Sequence, residues 1–234
     1  VPLVFGAGGT GIEPAIDSAQ WAYKNGADVL MMMPPYMIDG ANTVDMLMAN
    51  MDYARVSGCV VTQEYIDGRQ DEYLLKCRAE YPERMRITCL YEEKPIPDEW
   101  AAQFDGIKIC GGRLSDKDML RHKDVFAQAD RLGKFIAIDM ADGDLQVEAM
   151  NALAHEFPDL RIAIGHFGMV TVDGWREQIG LAPSKNVYIE SGGITWLFNS
   201  EFYPYPSAID AIREAADICG MDKLMWGSDY PRTM

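Results

Sequence analysis

Short apolar runs alternate with helix-like stretches along the whole chain of 234 residues. Within most of these runs the apolar residues are consecutive rather than alternating, which is typical of strands buried on both faces of a parallel sheet. The connections are long enough for each strand to lie parallel to the next, with a helix packed on the sheet between them. The predicted strands are 3–5, 28–33, 59–64, 86–91, 106–110, 135–139, 161–167, 187–190 and 224–226.

Eight of these strands follow one another after residue 28, and eight parallel strands close a (β/α)₈ barrel. We therefore predict an α/β fold, a TIM barrel formed as a single domain over 1–234, with a surplus N-terminal strand and helix and without a final helix. The clearest helix is predicted over 144–157, with Asp144 as N-cap and Pro158 ending it. The other predicted helices are 13–25, 43–55, 71–81, 117–132 and 207–219.

Composition excludes several classes of partner. Because 36 acidic residues outnumber 21 basic ones and give a net charge of −15, binding to nucleic acid or to an anionic membrane is not expected. The longest apolar run, 29–35, is far shorter than the ~20 residues of a spanning helix. Five cysteines without a CxxC pair favour a reducing, cytoplasmic location. The chain starts at Val1 and stops soon after a predicted strand, so we expect a piece of a longer protein.

Polar residues at the carboxyl ends of the predicted strands are the candidate site, because chemistry in such barrels occurs at that face. His166 ends an apolar strand in the run IAIGHFG, with a glycine two residues after it, whereas His122 and His155 lie in helical stretches and are expected to be solvated. Asp229 lies in a constrained turn before Pro231. A carboxylate there can bind a metal ion or take a proton from an attacking water.

Five further residues are predicted to bind substrate at this face. Glu64 and Glu190 are expected to orient a ligand or a water, with a salt bridge across the rim as the alternative for each. Arg113, Arg232 and Trp196 lie in the loops that follow and suit a carboxylated or aromatic molecule, with ordinary surface residues as the alternative.

An aromatic stretch over 195–206 is long for a loop of this fold. It is predicted to form either a lid over the barrel mouth or a subunit contact, so a homo-oligomer is among the expected partners.

Several segments together resemble one family. GKFIAIDMADGD, FPDLRIAIGHFG, NVYIESGGITWL and MDKLMWGSDYPRTM are similar to the amidohydrolase-related family of metal-dependent hydrolases, which includes small-acid decarboxylases and lactonases. The resemblance extends over about 43–234. It implies that His166 is a metal ligand or polarises the substrate, and that Asp229 is both a ligand and the general base.

The same resemblance places Asp139 where the family usually has a histidine of strand five. The His-x-His of strand one is missing from DVLMMMPPYM. The implied cofactor is one divalent metal ion (Zn²⁺, Mn²⁺ or Mg²⁺) held by His166, Asp229 and Asp139. An oxygen-rich set of this kind suits Mn²⁺ or Mg²⁺ better than tightly bound Zn²⁺, and metal-free hydrolysis stays open.

The first 36 residues resemble a different family, that of dihydrodipicolinate synthase and N-acetylneuraminate lyase. That family uses a Schiff-base lysine in a GIK strand, which implies Lys108 of FDGIKICGG as a catalytic nucleophile. A buried lysine with a lowered pKa can attack carbonyl groups.

Three hypotheses follow. The first is a metal-dependent hydrolase that cleaves a lactone, ester or amide of a small carboxylated molecule, with decarboxylation at the same site as a variant. The second is a Schiff-base lyase that uses Lys108. The third is a barrel remnant without catalytic activity, which acts only in assembly or binding.

Overall fold

Nine parallel strands form one sheet whose strand order follows the chain. The computed structural model describes residues 3–4, 27–32, 43–65 and 68–229. Each predicted strand has a counterpart among them. The strands are β1 (Leu3–Val4), β2 (Ala27–Met32), β3 (Cys59–Val61), β4 (Met85–Leu90), β5 (Gly106–Cys110), β6 (Phe135–Asp139), β7 (Ile162–Ile164), β8 (Val187–Glu190) and β9 (Leu224–Met225).

Helices follow most of these strands and cover the outside of the sheet. Those described are α1 (Val44–Ala54), α2 (Asp71–Glu80), α3 (Asp98–Ala101), α4 (Lys123–Arg131), α5 (Val147–Glu156), α6 (Trp175–Ile179), α7 (Ile194–Leu197) and α8 (Pro206–Cys219). The helix predicted over 13–25 lies outside the described residues. None of the helices in the described part of the chain has the length and apolar character needed to cross a membrane.

The sheet is curled, as a barrel requires. Thr62 follows β3 and Asp229 follows β9, yet both line the same cavity. In a flat sheet these strands, six positions apart, would be separated by roughly 29 Å. Curling therefore brings the carboxyl ends of strands distant in the sheet order to one place, and the predicted parallel α/β barrel architecture is confirmed.

The central strands are buried on both faces. All five residues of β5 are buried, and Ile107 and Ile109 have no exposed surface. Side chains alternate between the two faces of a strand, so Lys108 and Cys110 share the opposite face. The apolar residues of β5 thus pack in the core while its polar ones point to the other side.

The start of α5 differs from the prediction. The helix begins at Val147, with Gln146 rather than Asp144 in the N-cap position. The buried Gln146 side chain accepts a hydrogen bond from the backbone N–H of Ala141 and donates to the carbonyl oxygens of Gly111 and Lys117. These hydrogen bonds fix Gln146 at the start of the helix. They outweigh the preference of Asp144 for the N-cap position.

His122 is buried, so the expectation that it is solvated was wrong. Its Nε2 lies 2.9 Å from the carbonyl oxygen of Asp116, and its Nδ1 lies 3.0 Å from the Tyr91 hydroxyl. Since a carbonyl oxygen only accepts, Nε2 carries the proton and Tyr91 donates to Nδ1. His122 therefore connects the loop after β5 to the end of β4, whereas His155 is exposed as predicted.

Asn186 connects the end of α5 to β8. Its buried amide lies 2.9 to 3.1 Å from the carbonyl oxygens of Ala154, Phe157 and Leu160. We expect Asn186→Ala to lower the free energy of unfolding by about 2 kcal/mol, because buried carbonyl groups lose their donor. Urea denaturation measures this change. The exposed Asn199 is the control, and equal effects of Asn199→Ala and Asn186→Ala would contradict the assignment.

Candidate active site

One cavity at the carboxyl ends of the strands collects most of the predicted site residues. The empty space in it is about 390 Å³ when the open mouth is included. The ionisable residues that line it are Lys108, Asp139, His166, Glu190 and Asp229. They come from β5, β6, β8 and the segments that follow β7 and β9. The structure therefore brings these five predicted residues together.

A buried lysine and a histidine both lie beside Asp139. Lys108 Nζ is 2.6 Å from Asp139 Oδ2, and His166 Nε2 is 3.5 Å from the same oxygen. Burial by itself would raise the pKa of Asp139, but the two positive groups lower it below its usual range. For His166, burial lowers the pKa while Asp139 and Asp229 raise it, and the net effect is a pKa of about 9. Without a bound metal ion, this part of the cavity is a network of charged groups.

The state of Lys108 disfavours the Schiff-base hypothesis. A nucleophilic lysine needs a lowered pKa so that the amine is neutral. Burial acts in that direction on Lys108, but the Asp139 carboxylate outweighs it and raises the pKa above the ordinary value. The ammonium group is held in its charged form, which cannot attack a carbonyl carbon.

Glycines surround the carboxylate of Glu190. A Cβ atom at Gly227 would lie 1.1 Å from Glu190 Oε1, and one at Gly192 would lie 2.7 Å from the same oxygen. At Gly165 a Cβ atom would lie 2.3 Å from Asp139 Oδ1. Glycine at these three positions leaves the space in which two buried carboxylates sit. Burial, together with nearby carboxylates, raises the pKa of Glu190 to about 7.

Trp196 contacts both predicted catalytic residues. Its indole Nε1 donates to Asp229 Oδ2 at 2.7 Å, and its ring meets the His166 ring edge-on, with centroids 5.8 Å apart. Gly193 permits this position, because a Cβ atom there would lie 2.2 Å from Nε1. Trp196, predicted to bind substrate, thus orients Asp229 and packs on His166.

His166 and Asp229 share an uncommon backbone conformation. Their φ angles are 54° and 53°, in the left-handed region that non-glycine residues rarely adopt. Each such residue costs on the order of 1 kcal/mol, and such strain is concentrated at functional sites. The backbone is therefore strained at the two residues to which the sequence assigned the chemistry.

Glu64 and Arg113 form an ion pair near the cavity. Arg113 Nε lies 3.2 Å from Glu64 Oε1, with the Arg113 side chain 47% exposed and Glu64 buried. Glu64 also accepts a hydrogen bond from the backbone N–H of Tyr65 at 2.7 Å. Arg113 thus keeps part of its guanidinium open to solvent, and neither Arg113 nor Glu64 is among the residues that line the cavity. Arg232 lies outside the described residues.

Two features of the site were missed by the sequence analysis. Thr62 lines the cavity, whereas the neighbouring Gln63 donates to Asp71 Oδ1 at 2.6 Å, outside the cavity lining. The glycines around Glu190 were missed as well. The available signals were the tripeptide SGG, which contains Gly192, and the run WGSD, which contains Gly227.

The chain belongs to the amidohydrolase family, whose model matches residues 19–234. The family is metal-dependent. A probable 2-pyrone-4,6-dicarboxylic acid hydrolase from Acinetobacter baumannii, solved with citric acid bound, is 18% identical with a TM-score of 0.70, covering 88% of this chain and 85% of its own. A zinc-bound amidohydrolase from Burkholderia multivorans is 13% identical with a TM-score of 0.68, covering 87% and 84%.

Among curated sequences, an L-fucono-1,5-lactonase from Burkholderia ambifaria is 27% identical over 139 residues, which is 55% of this chain and 47% of that protein. A protein from Sinorhizobium fredii is 32% identical over 96 residues, which is 37% of this chain and 30% of its own. The chain thus spans less than half the length of these relatives. The resemblance of 1–36 to the lyase family finds no support, since the amidohydrolase match begins at residue 19.

The residues lining the cavity fit a divalent cation. Three carboxylates, Asp139, Glu190 and Asp229, face one lysine and one histidine. Burial is the main cause of the raised pKa of Glu190, and the Asp229 and Asp139 carboxylates add to it. Carboxylate oxygens and a single imidazole nitrogen are ligands that Mn²⁺, Mg²⁺ and Zn²⁺ accept. These residue types suit a divalent ion, although β2 contributes no histidine. In the described part of the chain, however, the donor atoms of His166, Asp139 and Asp229 do not all lie within 4.8 Å of one another, so these side chains would have to move to hold an ion together.

The ion pair between Lys108 and Asp139 predicts a large effect on stability. Lys108→Met leaves the half-buried Asp139 carboxylate with only His166, among the described residues, as a positive partner beside it, so we expect the free energy of unfolding to fall by about 3 kcal/mol, the lower end of the range for breaking a buried pair. Chemical denaturation in the presence of a chelator measures this. The exposed Lys185 supplies the control variant Lys185→Met. Full stability of Lys108→Met would show that the ion pair does not form.

The hydrogen bond from Trp196 to Asp229 can be tested separately from the aromatic packing. Trp196→Phe keeps a ring against His166 but removes the N–H donor, so we expect a loss of about 2 kcal/mol in stability. Trp175→Phe is the matched control, since this buried ring packs under Arg176. Thermal and urea unfolding report the difference. The assignment fails if Trp175→Phe costs as much as Trp196→Phe.

Proposed function

We propose that this chain is a metal-dependent hydrolase that opens a lactone, or cleaves an ester or amide, in a small carboxylated molecule. The observation that carries the proposal is that His166 and Asp229, which lie 63 positions apart in the sequence, line the same cavity. Both residues also have a left-handed backbone conformation. Membership of the amidohydrolase family supports the same chemistry. Decarboxylation of such a molecule at the same site is the alternative reaction.

A lactone is the substrate class that the relatives favour. One curated relative is named as a lactonase, and a structural neighbour as a hydrolase of 2-pyrone-4,6-dicarboxylic acid. A 2-pyrone is itself a cyclic ester, so both names describe opening of an ester ring. The partly exposed guanidinium of Arg113, held by Glu64, is proposed to bind a substrate carboxylate, and Arg232 is proposed for the same role.

His166, Asp139 and Asp229 are the proposed metal ligands. A bound divalent ion supplies Lewis-acid polarisation of the scissile carbonyl and makes a coordinated water more acidic. Asp229 is the proposed general base, which accepts the proton of the attacking water. The indole N–H of Trp196 holds one oxygen of Asp229 at 2.7 Å, which fixes the direction of the carboxylate. Glu190, on the strand between those that lead to His166 and Asp229, is proposed to orient the substrate or a water.

Lys108 is proposed to act as a fixed positive charge and not as a nucleophile. Its ammonium group lies at the base of the cavity on Asp139. A positive group preorganised in a buried site stabilises negative charge that develops on a carbonyl oxygen.

Location and partners are also proposals. All five cysteines are free thiols, which supports a reducing, cytoplasmic environment. The proposed partner is a small carboxylated substrate, and neither nucleic acid nor a membrane is proposed. We also propose self-association through the aromatic stretch 195–206, because Phe202 and Tyr203 are exposed.

Asp229→Asn tests the proposed base. We expect kcat to fall by about 100- to 10,000-fold on a panel of carboxylated lactones, the range typical of general-base catalysis. Metal content is measured on each preparation. Asp142→Asn, which changes an exposed aspartate, and His155→Ala, matched to His166→Ala, are the controls. Full activity of both Asp229→Asn and His166→Ala would refute the proposal, and a folded protein without turnover or metal would favour the non-catalytic remnant.

A further inference from the structure

Lys108 lies next to a group of three side chains whose types can bind a metal ion. Lys108 and Cys110 are two residues apart on β5 and so point to the same face. Cys110 lies opposite Asp139 in the register of β5 and β6. Glu64 reaches the same place from the end of β3. Among the described residues, the three whose donor atoms all lie within 4.8 Å of one another are Glu64, Cys110 and Asp139.

The cation within this trio is the lysine itself. Lys108 Nζ is 2.6 Å from Asp139 Oδ2 with its side chain 7% exposed, and its charge acts on Cys110 and Glu64 as well. Two carboxylates this close together in a largely buried place require positive charge nearby. Arg113 approaches Glu64 from the solvent side, and Lys108 supplies the buried positive charge on Asp139.

We infer that Lys108 is the built-in cation of the Glu64, Cys110 and Asp139 trio and excludes a divalent ion from it. The inference rests on the proposed metal-dependent function and deepens it, because Lys108 occupies Asp139 Oδ2 and leaves only Oδ1 of that carboxylate, with His166 and Asp229, to the ion. A divalent ion bound within the trio would have to displace the ammonium group from Asp139 Oδ2.

Removing the lysine charge therefore creates a new metal site of different chemistry. With Lys108 neutral, the trio offers two carboxylates and a sulfur. A metal ion bound there deprotonates the thiol, and sulfur ligation favours Zn²⁺ or Co²⁺ over Mg²⁺. The new site thus carries a spectroscopic signature that the His166 and Asp229 side, which lacks sulfur, does not produce.

Cobalt titration of the purified chain tests this inference. We expect the wild type to show no sulfur-to-cobalt charge-transfer absorption and its Co²⁺ affinity to be unchanged in Cys110→Ser. We expect Lys108→Met to bind one more Co²⁺ ion per chain and to show that absorption, and Lys108→Met/Cys110→Ser to lose it. Lys185→Met is the control for loss of a lysine charge.

Stability supplies a second readout. Co²⁺ or Zn²⁺ should raise the melting temperature of Lys108→Met more than that of the wild type, because an ion that binds only the folded state stabilises it. If Lys108→Met does not fold, Lys108→Gln takes its place, since its amide still donates to Asp139.

A sulfur-to-cobalt band in the wild type would overturn the inference, as would a weaker Co²⁺ affinity in Cys110→Ser. A folded Lys108→Met or Lys108→Gln variant without the extra ion would also overturn it. The proposed function fails separately. If the wild type binds no ion and has no turnover while Lys108→Met binds Co²⁺ through sulfur, the inference stands and the metal-dependent hydrolase does not.

Discussion

The curled parallel sheet brings several carboxylates into one buried place, and the structure depends on how their charge is balanced. Parallel strands end at the same face, so Asp139, Glu190 and Asp229 meet in the cavity without regard to their separation along the chain. Burying charge is costly unless opposite charge lies close by. Lys108 and His166 provide it, and their positions on either side of Asp139 set the electrostatics of the whole site.

Backbone geometry shapes the cavity as much as side chains do. His166 and Asp229 adopt left-handed conformations that turn the chain sharply at the ends of β7 and β9. Glycines at 165, 192 and 227 leave the room that the carboxylates of Asp139 and Glu190 occupy. A strained turn that places a functional side chain, next to residues that leave space for it, is the arrangement expected of a preorganised site.

Much of this arrangement could be predicted from the sequence. Consecutive apolar residues identified the strands, and the strand ends identified the cavity residues, because both signals are local. The strands predicted over 59–64 and 161–167 were too long, since sheet pairing stops at Val61 and Ile164, where polar residues turn toward the cavity. The burial of His122 could not be predicted, because it depends on Tyr91, 31 residues away.

Pairing within the site could not be predicted either. The contact of Lys108 with Asp139 follows from the register that sets Cys110 opposite Asp139, and no local pattern encodes that register. Trp196 and Asp229 are 33 residues apart, and their hydrogen bond depends on the turn at Gly193. Sequence patterns thus named the members of the site, whereas tertiary packing decided which of them touch.

Lys108 is a cation that the protein cannot lose, because it is covalently part of the polypeptide. Lys108 cannot be chelated, diluted away or exchanged for another ion, so its hold on Asp139 persists when transition metals are scarce. The carboxylates of the cavity would then keep their positions when no metal ion is bound. The protein could bind the ion again without refolding.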